Sequence, residues 1–147
     1  RQLVGVHRMD AFLLDPQRCA ELGTLDRITF LGYIDNAAVA GWLRRSKVYV
    51  QISDTETFGV SIAEAMSSGI PVLVSRRGAI PEVVGDYGFY VDHNDEASVA
   101  EGIIRILEMP ATEQLLHGAR ASKHIEGSFS FEIRRNKIRE LVDQISA

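Results

Sequence analysis

The chain has 147 residues, 46% of them hydrophobic and 24% charged, as in an ordinary soluble globular domain. Sixteen basic residues stand against twenty acidic ones, a net charge of −4 with no basic block, which argues against non-specific nucleic-acid binding. One cysteine, Cys19, rules out an internal disulfide and fits a reducing, cytoplasmic setting. No apolar run approaches the ~18 residues of a membrane-spanning helix, and the first residues do not read as a signal peptide.

In chain order, Leu3–Val6 reads as a short strand, 16–22 as a weak helix, and Ile28–Leu31 as a strand ending at Gly32. Asp35 or Asn36 can cap a helix running to about Arg45, because a short side-chain oxygen accepts the first free N–H groups. Val48–Ile52 is the next strand. The helix from about Gly59 to Ser67 places Ile62, Ala65, Met66 and Gly69 on one inward stripe. Val72–Ser75 and Phe89–Val91 are further strands, separated by a turn-rich loop from Arg76 to Glu82.

The last third reads as helical. Asp95 caps a helix with Val99, Ile103, Ile104 and Leu107 inward, and Thr112 caps a second helix ending at Gly127, a natural stop. Ser130 opens a third, with Ile138, Leu141, Val142 and Ile145 inward and Arg134, Arg135, Lys137 and Arg139 on a solvated face. Strand–helix alternation predicts a Rossmann-like, doubly wound α/β domain with a parallel sheet, a single domain over 1–147.

Ligands of such sheets bind at the carboxyl ends of the strands, where helix N-termini present free N–H groups. The stretch from Ser53 to Met66 runs from strand to helix at that edge, with Glu56 in the loop and Glu64 inside the helix. Taken alone, Glu56 is a loop carboxylate favoured beside a helix N-terminus, and Glu64 a solvated helix residue. Ser53 either donates to a phosphate or caps the loop, and Phe58 reads as packing. Tyr33, taken alone, reads as a half-buried surface aromatic. Arg76 and Arg77 read as solvated loop charges. His7, His93, His117 and His124 have no metal-ligand spacing, no Asp-x-Asp stands at a strand end, and Gly5 stands alone without a dinucleotide fingerprint.

Glu56 and Glu64 are followed by Ala65-Met66, Gly69, Pro71-Val72 and then Gly78-Ala79-Ile80-Pro81-Glu82-Val83-Val84, Gly88-Phe89 and Val91-Asp92. With Leu3–Val6 and Arg27–Ile34 before them, these segments resemble, in family order, the retaining glycosyltransferases of the family-four type with the GT-B fold. Such enzymes face two Rossmann-type domains across a cleft, and this chain resembles the C-terminal, donor-binding one. The resemblance implies that the acceptor domain is absent here, as is the first strand of the donor domain with its two diphosphate-binding basic residues. In the strand order 3-2-1-4-5-6 that strand is central. Its loss predicts that the gap closes by direct pairing, by swapping or with a further segment, and makes self-association an expectation.

The resemblance also implies the site. Glu56 is the catalytic carboxylate beside the donor sugar. Glu64 binds the ribose hydroxyls, and Phe58, Gly59 and Val60 present backbone N–H groups to phosphate and sugar oxygens. Tyr33 and Ile34 lie under the nucleobase, and Ser53 is a candidate phosphate donor. The donor would be a UDP-, GDP- or ADP-sugar, with no metal or other cofactor, and the acceptor a glycan, lipid or small molecule, with peripheral membrane contact through a longer parent. The isolated chain is expected to be inactive. The alternative is a non-catalytic nucleotide-sugar binding or interaction module.

Overall fold

The computed structural model describes residues 3–5 and 16–145. The packing divides the chain into two compact units, Arg1–Val39 and Ala40–Ala147. In the first, strand β1 (Leu3–Gly5) pairs in parallel with β2 (Ile28–Phe30), Val4 opposite Thr29. Helix α1 (Pro16–Glu21) and a 3-10 turn (Leu25–Arg27) connect them, with Cys19 buried. Val6 and His7, read above as a strand end and a lone histidine, lie outside the described residues. Helix α2 (Asn36–Arg45) follows, and Asp35 Oδ1 accepts the Ala38 N–H at 2.8 Å, the predicted cap.

The second unit is built on a parallel sheet in the order β3 (Tyr49–Gln51), β4 (Val72–Ser75), β5 (Phe89–Val91). The register sets Val50 opposite Leu73, and Val74 opposite Tyr90. All four residues of β4 are fully buried, so both faces of this central strand are covered, as parallel strands require. Helix α3 (Val60–Ser67) packs on β3 and β4, and α5 (Glu96–Glu108) on β4 and β5. Between β4 and β5 runs the short α4 (Ile80–Val84), whose Ile80, Val83 and Val84 complete the core with Ile62, Met66 and Leu73. Helix α6 (Ala111–Phe129) lies against α3, so close that a Cβ on Gly118 would collide with the Gly69 carbonyl oxygen. Helix α7 (Phe131–Ile145) packs on α6.

Within each unit the strands run parallel, β1 with β2 in the first and β3, β4 and β5 in the second. Several expectations need correction. Gly69 lies past the end of α3 in a left-handed turn (φ +74°) and is not part of its buried stripe. In α5 the fully buried residue is Ile106, while Ile104 is exposed. The face nearest the sheet runs along Gly102, where an added Cβ would sit 2.8 Å from Leu73 and 3.0 Å from Val91, and on to Ile106 one turn later. Helix α6 begins one residue before Thr112, which does not cap it: Pro110 is the cap residue and its carbonyl accepts the Glu113 and Gln114 N–H groups. Nor does it stop at Gly127, because Phe129 carries it onto ring contacts with Phe58 and His124. The stripe of α7 is not inward: Ile138, Leu141, Val142 and Ile145 are all exposed.

Candidate functional site

The site grows from the carboxyl end of β3. Tyr49 and Gln51 are two residues apart, so they share one face of the strand. The chain then leaves the sheet through Ser53, whose N–H donates to Ser75 Oγ at 3.2 Å while the Ser75 hydroxyl donates to the Ser53 carbonyl at 2.7 Å. Ser75 is the one buried polar residue of the described core, and this reciprocal pair satisfies it by tying the ends of β3 and β4 together.

Glu56 is half-buried in the loop that follows. Its Oε1 accepts the Thr57 N–H at 2.9 Å and that of Phe58 at 3.4 Å, and its Oε2 accepts from Gln51 Nε2 at 2.8 Å. The backbone is held from the other side, where the Ala79 N–H donates to the Glu56 carbonyl at 2.9 Å. That contact needs Gly78. Its φ of +53° is a conformation L side chains avoid, and any Cβ there would run into the Glu56 carbonyl oxygen.

Gly59 precedes α3 in a left-handed conformation (φ +83°), and no side chain caps the helix. The first N–H groups of α3, from Val60 onward, therefore lack the intrahelical acceptors that later residues have, and form the positive end of its dipole. Val60 is exposed, Phe58 packs edge-to-face on Phe129 with centroids 5.7 Å apart, and Glu64 is exposed on the same helix. The Tyr49 phenol is pushed up to about 12, chiefly by burial; hydrogen bonding to Ser61 opposes the rise, and the charges of Glu64 and Glu56 add to it. Both carboxylates thus act on one phenol.

The structure brings Ser53, Glu56, Phe58, Gly59, Val60 and Glu64 into the β3–α3 segment of the second unit. Tyr33 and Ile34 belong to the first unit, Ile34 partly covered and Tyr33 96% exposed, so Tyr33 is not a half-buried aromatic.

Several residues of this edge were not picked out as site residues above. Gln51 and Tyr49 are legible in retrospect, since an amide within an apolar strand must find partners. Ser75 and Gly78 gave no local signal, because their partners lie across the crossover. Arg77 is exposed but not merely solvated: its Nη2 lies 3.1 Å from His93 Nε2, and the same nitrogen lies 3.1 Å from Asp54 Oδ1. One ring nitrogen cannot accept from Arg77 and donate to Asp54 at once, so these two contacts exclude one another as hydrogen bonds. Arg76 likewise stacks on the Tyr90 ring, its guanidinium carbon 3.9 Å from the centroid.

Residues 16–123 match the family described as glycosyl transferases group 1. The N-acetyl-alpha-D-glucosaminyl L-malate synthase of Bacillus anthracis is 37% identical over 112 residues, 73% of this chain and 28% of that protein. The lipopolysaccharide core biosynthesis mannosyltransferase of Rhizobium leguminosarum bv. viciae is 34% identical, over 75% of this chain and 31% of that protein. The sucrose-phosphate synthase of Thermosynechococcus elongatus superimposes with a TM-score of 0.86 at 28% identity, over 98% of this chain and 38% of that one. The chain thus spans about a third of the length of these proteins. Its fold is the Rossmann-like α/β fold of one half of a GT-B enzyme, and with most of its length inside the family match, the chain belongs to the group 1 glycosyl transferases.

Proposed function

We propose that this chain is the nucleotide-sugar binding half of a retaining, cytoplasmic glycosyltransferase. The observation that carries the reading is the Glu56 carboxylate, held at both oxygens beside the uncapped N-terminus of α3. Transfer of a glycosyl group builds positive charge on the sugar and negative charge on the leaving diphosphate. A fixed carboxylate favours the first, and helix-terminal N–H groups favour the second. In this reading Glu56 accepts from the sugar hydroxyls, Gly59 and Val60 offer their N–H groups, joined by that of Phe58 once it leaves its 3.4 Å contact with Glu56 Oε1, and Ser53 donates to a phosphate. Glu64 takes the ribose hydroxyls. The positive end of α3 does the work a cation would do, so chelators will leave donor affinity unchanged. The relatives above carry glucosaminyl and mannosyl names at similar identity, so family membership alone does not select the sugar.

Calorimetric titration of the chain with UDP, GDP and ADP tests the reading. Saturable binding of one nucleotide, weakened about tenfold or more in Glu64→Ala, is the expected result. Unchanged affinity in that variant removes Glu64 from the ribose. Binding of none of the three favours an interaction module over a donor site. Sugar transfer by this chain alone would overturn the expectation that the partner half of the cleft is required.

A further inference from the structure

Gln51 is a half-buried amide, and its three partners define which way it lies. A carboxylate offers only lone pairs, so the end of the amide facing Glu56 Oε2, 2.8 Å away, is the NH2. The same nitrogen reaches Ser53 Oγ at 3.3 Å. The other end, Oε1, is then an acceptor, and the Tyr49 hydroxyl 2.7 Å away donates to it. The Tyr49 phenol keeps its proton well past neutrality, so this donor is present across the physiological range. A directional chain results, from Tyr49 O–H to Gln51 and from Gln51 N–H to Glu56.

The chain is not needed to hold the loop. The Ser53–Ser75 pair and the Ala79–Glu56 bond already fix its backbone. What the Gln51 amide adds is the orientation of the Glu56 side chain. With Oε1 on the Thr57 and Phe58 N–H groups and Oε2 on Gln51, the plane of the carboxylate is set, and Oε2 keeps a lone pair for an outside donor.

We propose that Gln51 and Tyr49 are positioning residues for the sugar half of the donor: Tyr49 fixes the Gln51 amide, and Gln51 aims the Glu56 carboxylate at the sugar hydroxyls. The inference rests on the reading of Glu56 given above and extends it to strand β3, whose two residues act through that carboxylate. Their effect is confined to what the sugar adds to binding, beyond the nucleotide alone.

The test compares the affinities of UDP, GDP and ADP with those of UDP-glucose, GDP-mannose and ADP-glucose in the chain and four variants. Gln51→Met keeps the shape and removes the donor. It is expected to leave nucleotide affinity within twofold and to lower the increment due to the sugar about tenfold. Tyr49→Phe is expected to lower that increment less, and the double variant no more than Gln51→Met alone, the signature of one coupled chain. Glu56→Gln is the control. If it leaves the sugar increment intact, the functional reading fails; if it abolishes the increment while Gln51→Met does not, only the present inference fails. The same chain, isotope-labelled, decides the matter even without donor binding. The Gln51 side-chain amide signals must shift in both Tyr49→Phe and Glu56→Gln, and a Gln51 signal indifferent to either overturns the proposal.

Discussion

Helices α3 and α7 each carry apolar residues at helical spacing, yet Ile62, Ala65 and Met66 are 0% exposed while Ile138, Leu141 and Ile145 are 55, 57 and 84% exposed. The period of a pattern selects a face, but burial requires something opposite that face. Helix α3 has it, in β3, β4, α4 and α6. Helix α7 contacts α6 and has no buried residue. The short helix that bears the candidate ligand groups is therefore deeply anchored, and the longer one is held far more lightly. The buried core and the candidate site meet in the same β3–α3–β4 crossover.

Truncations separate the two regions most sharply. Met66→Ala leaves a cavity beneath α3 and will destabilise the chain by about 2–5 kcal/mol, read from the urea midpoint. A cost like that of a surface change would mean that α3 is not the anchored helix. A second measure comes from Tyr49 at alkaline pH. Below pH 10 the phenol is neutral in folded and unfolded chains alike. Between its ordinary value of 10.0 and about 12 only the unfolded chain releases the proton, so stability falls across that window, by roughly 2–3 kcal/mol in all. Tyr49→Phe will abolish this part of the alkaline loss, and in a spectrophotometric titration it will remove the step near pH 12 from the four tyrosines.

Gly78→Ala will cost about 1–3 kcal/mol, since the loop must move to free the Glu56 carbonyl. Its effect on nucleotide-sugar binding will be larger than on nucleotide binding. Smallest of all, Leu141→Ala on α7 will change stability by no more than about 0.5 kcal/mol. A cost as large as that of Met66→Ala would erase the distinction between the helices.

Much of the fold was legible because its cues are local. The apolar run Val72–Ser75 marked the central strand, and Asp95 marked the start of α5, where its side chain accepts the Ala97 and Ser98 N–H groups. The position of Glu56 at a strand end was readable for the same reason. What escaped was set by neighbours distant in sequence. The inward face of α5 passes through Gly102, a residue invisible to any count of apolar side chains. Gly127 looks like a stop, but ring contacts of Phe129 carry α6 past it. Arg77 and His93 look like ordinary loop residues until the β4 and β5 loops bring Arg77 to His93 and His93 to Asp54.

The bond from the Ala79 N–H to the Glu56 carbonyl joins the two ends of the β3–α3–β4 crossover. A contact of that span forms only after the intervening chain has closed on itself. During refolding, helical signal will therefore return before the Glu56 loop has anything to lean against. The Glu56 loop thus sets only once the crossover has closed, and helical signal alone does not report the order of the candidate site.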